Sequence, residues 1–173
     1  MSPQPIPALQ FSSGDVAAAS RVLAASALDR AARGEELWSP ASLSPERLGR
    51  HYPPQGWTVA WRGDQAVGCF VLLGEDPLFW PHATPGEATY LHKLAVHPTA
   101  QGQGLSEVLL REAARQTLQG GRQLLRLDTA TARPRLRAIY ERFGFRHVDD
   151  LLVKTWAVSR YELRLHGSPA EAG

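Results

Sequence analysis

Hydrophobic positions recur along the 173 residues with helical spacing in some stretches and strand spacing in others. Asp15 to Arg33 carries Val16, Ala19, Val22 and Leu23 on one face, with Gly34 just beyond, and is predicted to be a helix. Ser44-Pro45-Glu46 sets a favoured N-cap before a proline at the first helical position, so a short helix starts there. Residues 6–11 fit a short strand. Trp57 to Arg62 and Ala66 to Leu73 are strand-like and are joined by the turn Gly63-Asp64-Gln65, which predicts a hairpin. Gly74 to Gly86 holds Pro77, Pro81 and Pro85 and reads as a long loop, a kind of segment that is often functional. Thr89 to His97 is a strand stopped by Pro98. Residues 104–119 form a helix closed by Gly120-Gly121, Gln123 to Asp128 a strand, and Pro134 to Phe143 a helix closed by Gly144. Phe145 to Val148 and Lys154 to Leu165 complete a β-rich end.

The resulting order is β-α-α-β-β-β-α-β-α-β-β. Hairpins precede a strand–helix–strand unit, so the expected class is α/β (α+β) with a mixed sheet and helices on its faces. One domain over residues 1–173 is expected, with an ordered core of about residues 6–165 and frayed ends at 1–5 and 166–173. A hydrophobic share of 43% with 21% charged residues is that of a folded soluble protein. The net charge of +2 is too small to suggest a nucleic-acid partner. Apolar runs such as Cys69 to Leu73 fall far short of the roughly 20 residues of a membrane span. Cys69 is the single cysteine, which excludes a disulfide within the chain and suits a reducing compartment, so the cytoplasm is the expected location.

Candidate chemistry concentrates in Leu91-His-Lys-Leu-Ala-Val-His-Pro-Thr-Ala-Gln-Gly-Gln-Gly-Leu-Ser-Glu107. A strand runs through a glycine-containing turn straight into a helix. The first turn of a helix has N–H groups without intrahelical partners and a partial positive charge, and Gly102 and Gly104 allow close approach. Together they make a site for a phosphate or pyrophosphate. The same residues also read as a tight turn with no ligand, or as the first half of a dinucleotide-binding turn with Asp128 as its ribose acid. Glu107 in the third glycine position and the hairpins leading into the unit count against the dinucleotide reading.

Gln101-Gly-Gln-Gly-Leu-Ser106, after a Leu-Ala-Val strand and His-Pro, resembles the acetyl-CoA motif of the GCN5-related N-acetyltransferase (GNAT) superfamily. Leu136-Arg-Ala-Ile-Tyr-Glu-Arg-Phe-Gly-Phe145 resembles its second signature, a helix ending in Tyr-x-x-x-Gly-Phe. The two motifs stand in the family's order. Ser106 occupies a position usually Gly or Ala, and Arg133 one where many members carry a cofactor-contacting Asn. The resemblance implies a mostly antiparallel sheet of six or seven strands, flanked by about four helices, with a splayed parallel pair. It implies direct acetyl transfer from acetyl-CoA to a primary amine, without a metal. The pantetheine arm would pair with backbone near Leu94, Ala95 and Val96. The pyrophosphate would rest on Gly102, Gln103, Gly104, Leu105, Ser106 and Glu107, with Arg133 within reach of a phosphate. Seven arginines against two acids between Arg122 and Arg146 give a local +5, which either attracts a polyanion or forms a solvated face.

A lysine-like amine is neutral in roughly one molecule in 10³ at pH 7, a handicap of about 4 kcal/mol that a base or pocket must offset. Tyr140 matches the family tyrosine and is the candidate general acid for the departing thiolate. His92, on the strand beside the implied reaction centre, and Asp128, on the opposite strand, are the candidate bases, and Glu87 is a third. Trp38, Phe79 and Trp80 lie in loops that the resemblance sets beside the acceptor, as a wall or as loop anchors. The acceptor itself, small molecule or peptide, is left open. A coenzyme A-binding or sensing module with little catalysis is the alternative reading. A membrane partner is not expected, and the C-terminal strands could pair with a second copy.

Overall fold

The computed structural model describes residues 8–167. The expected frayed ends at 1–5 and 166–173 lie outside the described residues, apart from His166 and Gly167. The elements are β1 (Leu9–Ser13), α1 (Val16–Ala32), α2 (Pro45–His51), β2 (Trp57–Arg62), β3 (Gln65–Leu73), β4 (Ala88–Val96), α3 (Leu105–Gln119), β5 (Leu124–Ala130), α4 (Pro134–Phe143), β6 (Arg146–Val153) and β7 (Trp156–Arg164). The seven strands form a sheet of order β1-β2-β3-β4-β5-β7-β6. This is the mixed architecture expected. The β1–β2, β2–β3, β5–β7 and β6–β7 ladders are antiparallel, and β4 pairs with β5 in parallel. Among the described residues no helix is long and apolar enough to cross a membrane.

The residues fall into two compact units. One comprises the chain up to Val71 together with Lys93–Leu105. Its first helix begins where Asp15 Oδ1 accepts from Ala18 N at 2.9 Å, satisfying an otherwise unpaired donor. Of the face predicted from the spacing, Ala19, Val22 and Leu23 are buried at or below 1% exposure and Val16 is half-buried, and Ala18 and Ala27 join the buried side. Ser20 Oγ donates to Leu43 O at 2.6 Å, which fixes α1 to the turn before α2. The β2–β3 hairpin contributes Trp57, Val59, Cys69, Phe70 and Val71 to this core.

The other unit comprises Leu72–His92 and the chain from Ser106 on. Here a small core of Trp80, Ala88 and Tyr90 gathers Leu73, Phe79, Ala83, Leu124 and Val148 around it. Three strands outrun their expected limits, the first being β1, expected to end at residue 11 but running to Ser13. Asp128 is not the last residue of β5, which continues to Ala130, paired with Val158. The strand expected to stop at Val148 continues to Val153, because β7 supplies partners for its two adjacent acids. Arg160 holds Asp149 through two 2.7 Å contacts, and Ser159 Oγ donates to Asp150 at 2.6 Å. A tight turn through Lys154, at φ +54°, then joins β6 to β7.

Candidate active site

The strand-to-helix turn is held from the side of the hairpin. His97 N donates to Val67 O at 2.8 Å, Gln65 Nε2 to Thr99 Oγ1 at 3.1 Å, and Arg62 Nη1 to Gln103 Oε1 at 2.6 Å. Gly102 and Gly104 both stand at φ +75°, a region that L side chains rarely enter, and nothing lies within 4 Å of where a Cβ would sit on either. The turn therefore has the backbone shape and the open approach that an anion needs. Ser106 is half-buried in the first turn of α3, and Glu107 is exposed and paired with Arg111 at 2.7 Å.

On β4, Lys93 adopts φ +55°, a left-handed conformation that costs a non-glycine residue roughly 1 kcal/mol or more and recurs at functional sites. Its Nζ lies 4.8 Å from the centre of the Trp38 ring. Leu94 and Val96 are half-buried and Ala95 is buried. The β4–β5 ladder starts at Ala88↔Leu124 and ends at Leu91↔Leu127. His92 and Asp128 are the next residue on each strand, so both candidate bases stand where the parallel pair parts.

His92 has a partner that the sequence does not reveal. Its Nε2 lies 2.7 Å from Asp76 Oδ2, with side-chain exposures of only 14% and 8%. Asp76, His92 and Asp128 bring donor atoms within 4.8 Å of one another, a composition suited to moving protons or holding a cation. Asp76 lies in the proline-rich loop, sixteen positions from His92, and a single acid before a proline carries no signal beyond the loop's length. Glu87, the third carboxylate, is bound to Arg126 at 2.7 Å and accepts from Thr84 N at 3.0 Å. The Arg126 hydrogen bond, with that backbone donor, holds its carboxyl below the ordinary range and makes it a weak base. Cys69 is fully buried, and burial pushes its thiol far up, which disfavours a covalent acyl-cysteine route.

Tyr140 is 8% exposed and packs edge-on to Phe145 at 5.9 Å and against Tyr161 at 6.2 Å. The helix beneath it is fixed by Tyr161 Oη, which accepts from Arg137 Nε at 2.9 Å and donates to Glu141 at 2.7 Å. Burial raises the Tyr161 phenol, an effect opposed by Arg137 and reinforced by Glu141. Arg133 is the half-buried N-cap residue of α4, and its side chain makes no capping bond.

The aromatic residues divide. Phe79 lies 6.1 Å from the His92 ring and stacks at 6.3 Å on Trp156, which is half exposed and was not singled out from the sequence. Trp80 is buried between the guanidinium groups of Arg126 at 4.8 Å and Arg160 at 4.5 Å, so it anchors its loop. The basic stretch also divides. Arg122 donates to Gly74 O and Ala88 O, Arg126 binds Glu87 and Glu162, Arg137 binds Tyr161, and Arg146 approaches Glu162 at 3.6 Å. The charges of Arg122, Arg126 and Arg137 are thus spent on partners within the protein, whereas the Arg146 side chain stays 70% exposed.

The model of the Acetyltransferase (GNAT) family matches residues 25–145. The chain belongs to this acetyltransferase family. A GNAT-family protein of Desulfovibrio desulfuricans is 21% identical, with a TM-score of 0.69 over 91% of this chain and 99% of its own. A GNAT acetyltransferase of Listeria monocytogenes is 15% identical, with a TM-score of 0.72 over 91% and 94%. A GNAT acetyltransferase of Elizabethkingia anophelis, solved with acetyl-CoA bound, is 18% identical, with a TM-score of 0.51 over 63% and 75%. At these identities the likeness is one of fold. No curated protein matches the sequence. Both signatures quoted above fall inside the span matched to the GNAT family, the glycine turn wholly and the Tyr140 helix up to its closing Phe145.

Proposed function

We propose that this single domain is an N-acetyltransferase that passes the acetyl group of acetyl-CoA directly to a primary amine. The observation that carries the reading is the parting of β4 from β5 at His92 and Asp128, on the strand that leads into an open turn of two left-handed glycines. The turn fits the group: with no Cβ and nothing within 4 Å, Gly102 and Gly104 leave their backbone accessible to a diphosphate. Gly102 to Glu107 would hold the diphosphate, Arg133 would supply a further cation, and backbone of Leu94, Ala95 and Val96 would hold the pantetheine arm. Bound there, acetyl-CoA supplies a thioester already activated for acyl transfer.

The chain's own groups handle the protons. His92 takes the proton that the amine must lose, with Asp128 the other candidate for that task. Tyr140 gives a proton to the departing sulfur. A phenol is a weaker acid than a model thiol, by about 2 kcal/mol in water, and an apolar surrounding that raises the thiol narrows the gap. An N–H near Leu94 would donate to the carbonyl oxygen as charge gathers on it. Exchange with solvent then returns the proton from His92 and restores Tyr140. Phe79 and Trp156 form an aromatic wall for the acceptor, and Trp38 is a second candidate contact.

Calorimetry with acetyl-CoA and release of free coenzyme A across a panel of amines test this reading. Wild-type protein should bind and turn over. Gly104→Glu should abolish binding, by crowding and by repelling phosphate. Tyr140→Phe should lower turnover roughly 10²-fold with cofactor affinity unchanged. Binding without turnover of any amine would favour the sensing module.

A further inference from the structure

The loop from Gly74 to Glu87 is pinned at several points. Trp80 N donates to Asp76 O at 2.8 Å, closing a turn, and Arg160 Nη1 donates to Phe79 O at 3.1 Å. Trp80 is gripped between Arg126 and Arg160. A loop fixed in this way delivers the buried carboxylate of Asp76 to β4, 2.7 Å from His92 Nε2. A carboxylate removed from water is costly unless it is paired, and an ionised carboxylate can only accept. The imidazole must therefore present a proton at Nε2, and in the neutral ring the lone pair is then on Nδ1.

We propose that Asp76 is the positioning residue of the acetyl transfer, holding His92 in the tautomer with its proton on Nε2 so that Nδ1 is the atom that accepts a proton from the acceptor amine. The inference rests on the reading of His92 as base, and it favours His92 over Asp128 for that task. As the amine attacks, its N–H bond breaks and an Nδ1–H bond forms, while the Nε2 proton stays on its hydrogen bond to Asp76. The imidazolium so produced faces two carboxylates, Asp76 from the loop and Asp128 from β5. Arg160 from β7 interacts with Asp128, and the Phe79 ring covers one side. Asp76 thus stabilises the charged ring as well as orienting it, in the manner of the acid in a nucleophile–histidine–acid triad, here without a nucleophile.

Two measurements test it. Long-range proton–nitrogen correlation of the imidazoles, with the His92 signals assigned by their loss in His92→Gln, reads the tautomer without any turnover. The neutral His92 ring should carry its proton on Nε2, and a proton on Nδ1 in the wild-type protein would overturn the proposal. In steady-state assays Asp76→Asn should lower kcat by 10²-fold or more, with the KM for acetyl-CoA within twofold. In a His92→Gln background Asp76→Asn should cause no further loss, and a further tenfold loss there would overturn the proposal. A wild-type protein that binds coenzyme A yet acetylates no amine would instead count against the function, leaving the tautomer result to judge the pair.

Discussion

The interiors of the two units, each taken by itself, are built differently. In the one built around α1 and the β2–β3 hairpin, the fully buried large side chains include Leu23, Leu43, Leu48, Trp57, Val59 and Phe70, and the ion pair Asp29–Arg33 is half exposed. The one built around β5, β6 and β7 buries charge. Arg126, 9% exposed, is bound by Glu87, Glu162 and Tyr90 Oη, and Arg160 by Asp149. Burial pulls the Arg126 guanidinium down, but its hydrogen bonds to Glu87, Glu162 and Tyr90 more than offset this and hold it well above its ordinary value. The Asp76–His92 contact belongs to the same unit. Apolar packing is indifferent to protons, whereas a lattice of ion pairs is not. The candidate proton-transfer groups His92, Asp128 and Tyr140 stand in the part whose interior is already organised around charge.

This contrast predicts how each unit responds to substitution and acid. The largest loss should come from Phe70→Ala, about 4 kcal/mol by urea unfolding, and it should be nearly the same at pH 7 and pH 4. Arg126→Met should cost about 3 kcal/mol at pH 7, because it strands two carboxylates, and the loss should shrink as acid protonates Glu87. Its sign follows from Glu87, which the Arg126 hydrogen bond holds below its ordinary value. Such a group stabilises the fold above its unfolded pKa, near ~4, and the contribution disappears as pH falls through the lower folded value. Glu112, Asp149 and Asp150 are lowered in the same direction, chiefly by Arg115, Arg160 and Ser159. A cost for Arg126→Met that stays constant from pH 7 to pH 3 would break the comparison. The smallest effect should be that of Asp149→Asn, under about 1 kcal/mol and weaker still in high salt, because the Asp149 side chain is 44% exposed.

The order of all eleven regular elements was legible because their ends are marked. Pro134 opens α4 and Gly144, at φ +122°, closes it, so its limits could be read to the residue. Two of the strand ends that escaped the reading depend on β7. Thr129-Ala130 joins β5 through its pairing with Ser159 and Val158 of β7, and Asp149-Asp150 are poor strand formers until β7 brings Ser159 and Arg160 beside the two acids. At the site, the glycine turn was visible because its conformation demands a residue type. Lys93 at φ +55° was not, because a lysine advertises no such backbone. His92 and Asp128 could be named one at a time. That they adjoin the last rung of one ladder is a matter of register, and Asp76 reaches His92 from a loop whose Trp80 is anchored by Arg126 and Arg160, residues distant in sequence.

Cys69 sits on β3 with its Sγ 3.9 Å from Ala19 O and 3.7 Å from Lys93 O, wholly screened from solvent. An alkylating reagent can reach that sulfur only when the surrounding strands and helix separate. As the chain has no other thiol, the rate of its labelling is a stopwatch for that opening, built into the wild-type sequence and needing no engineered probe.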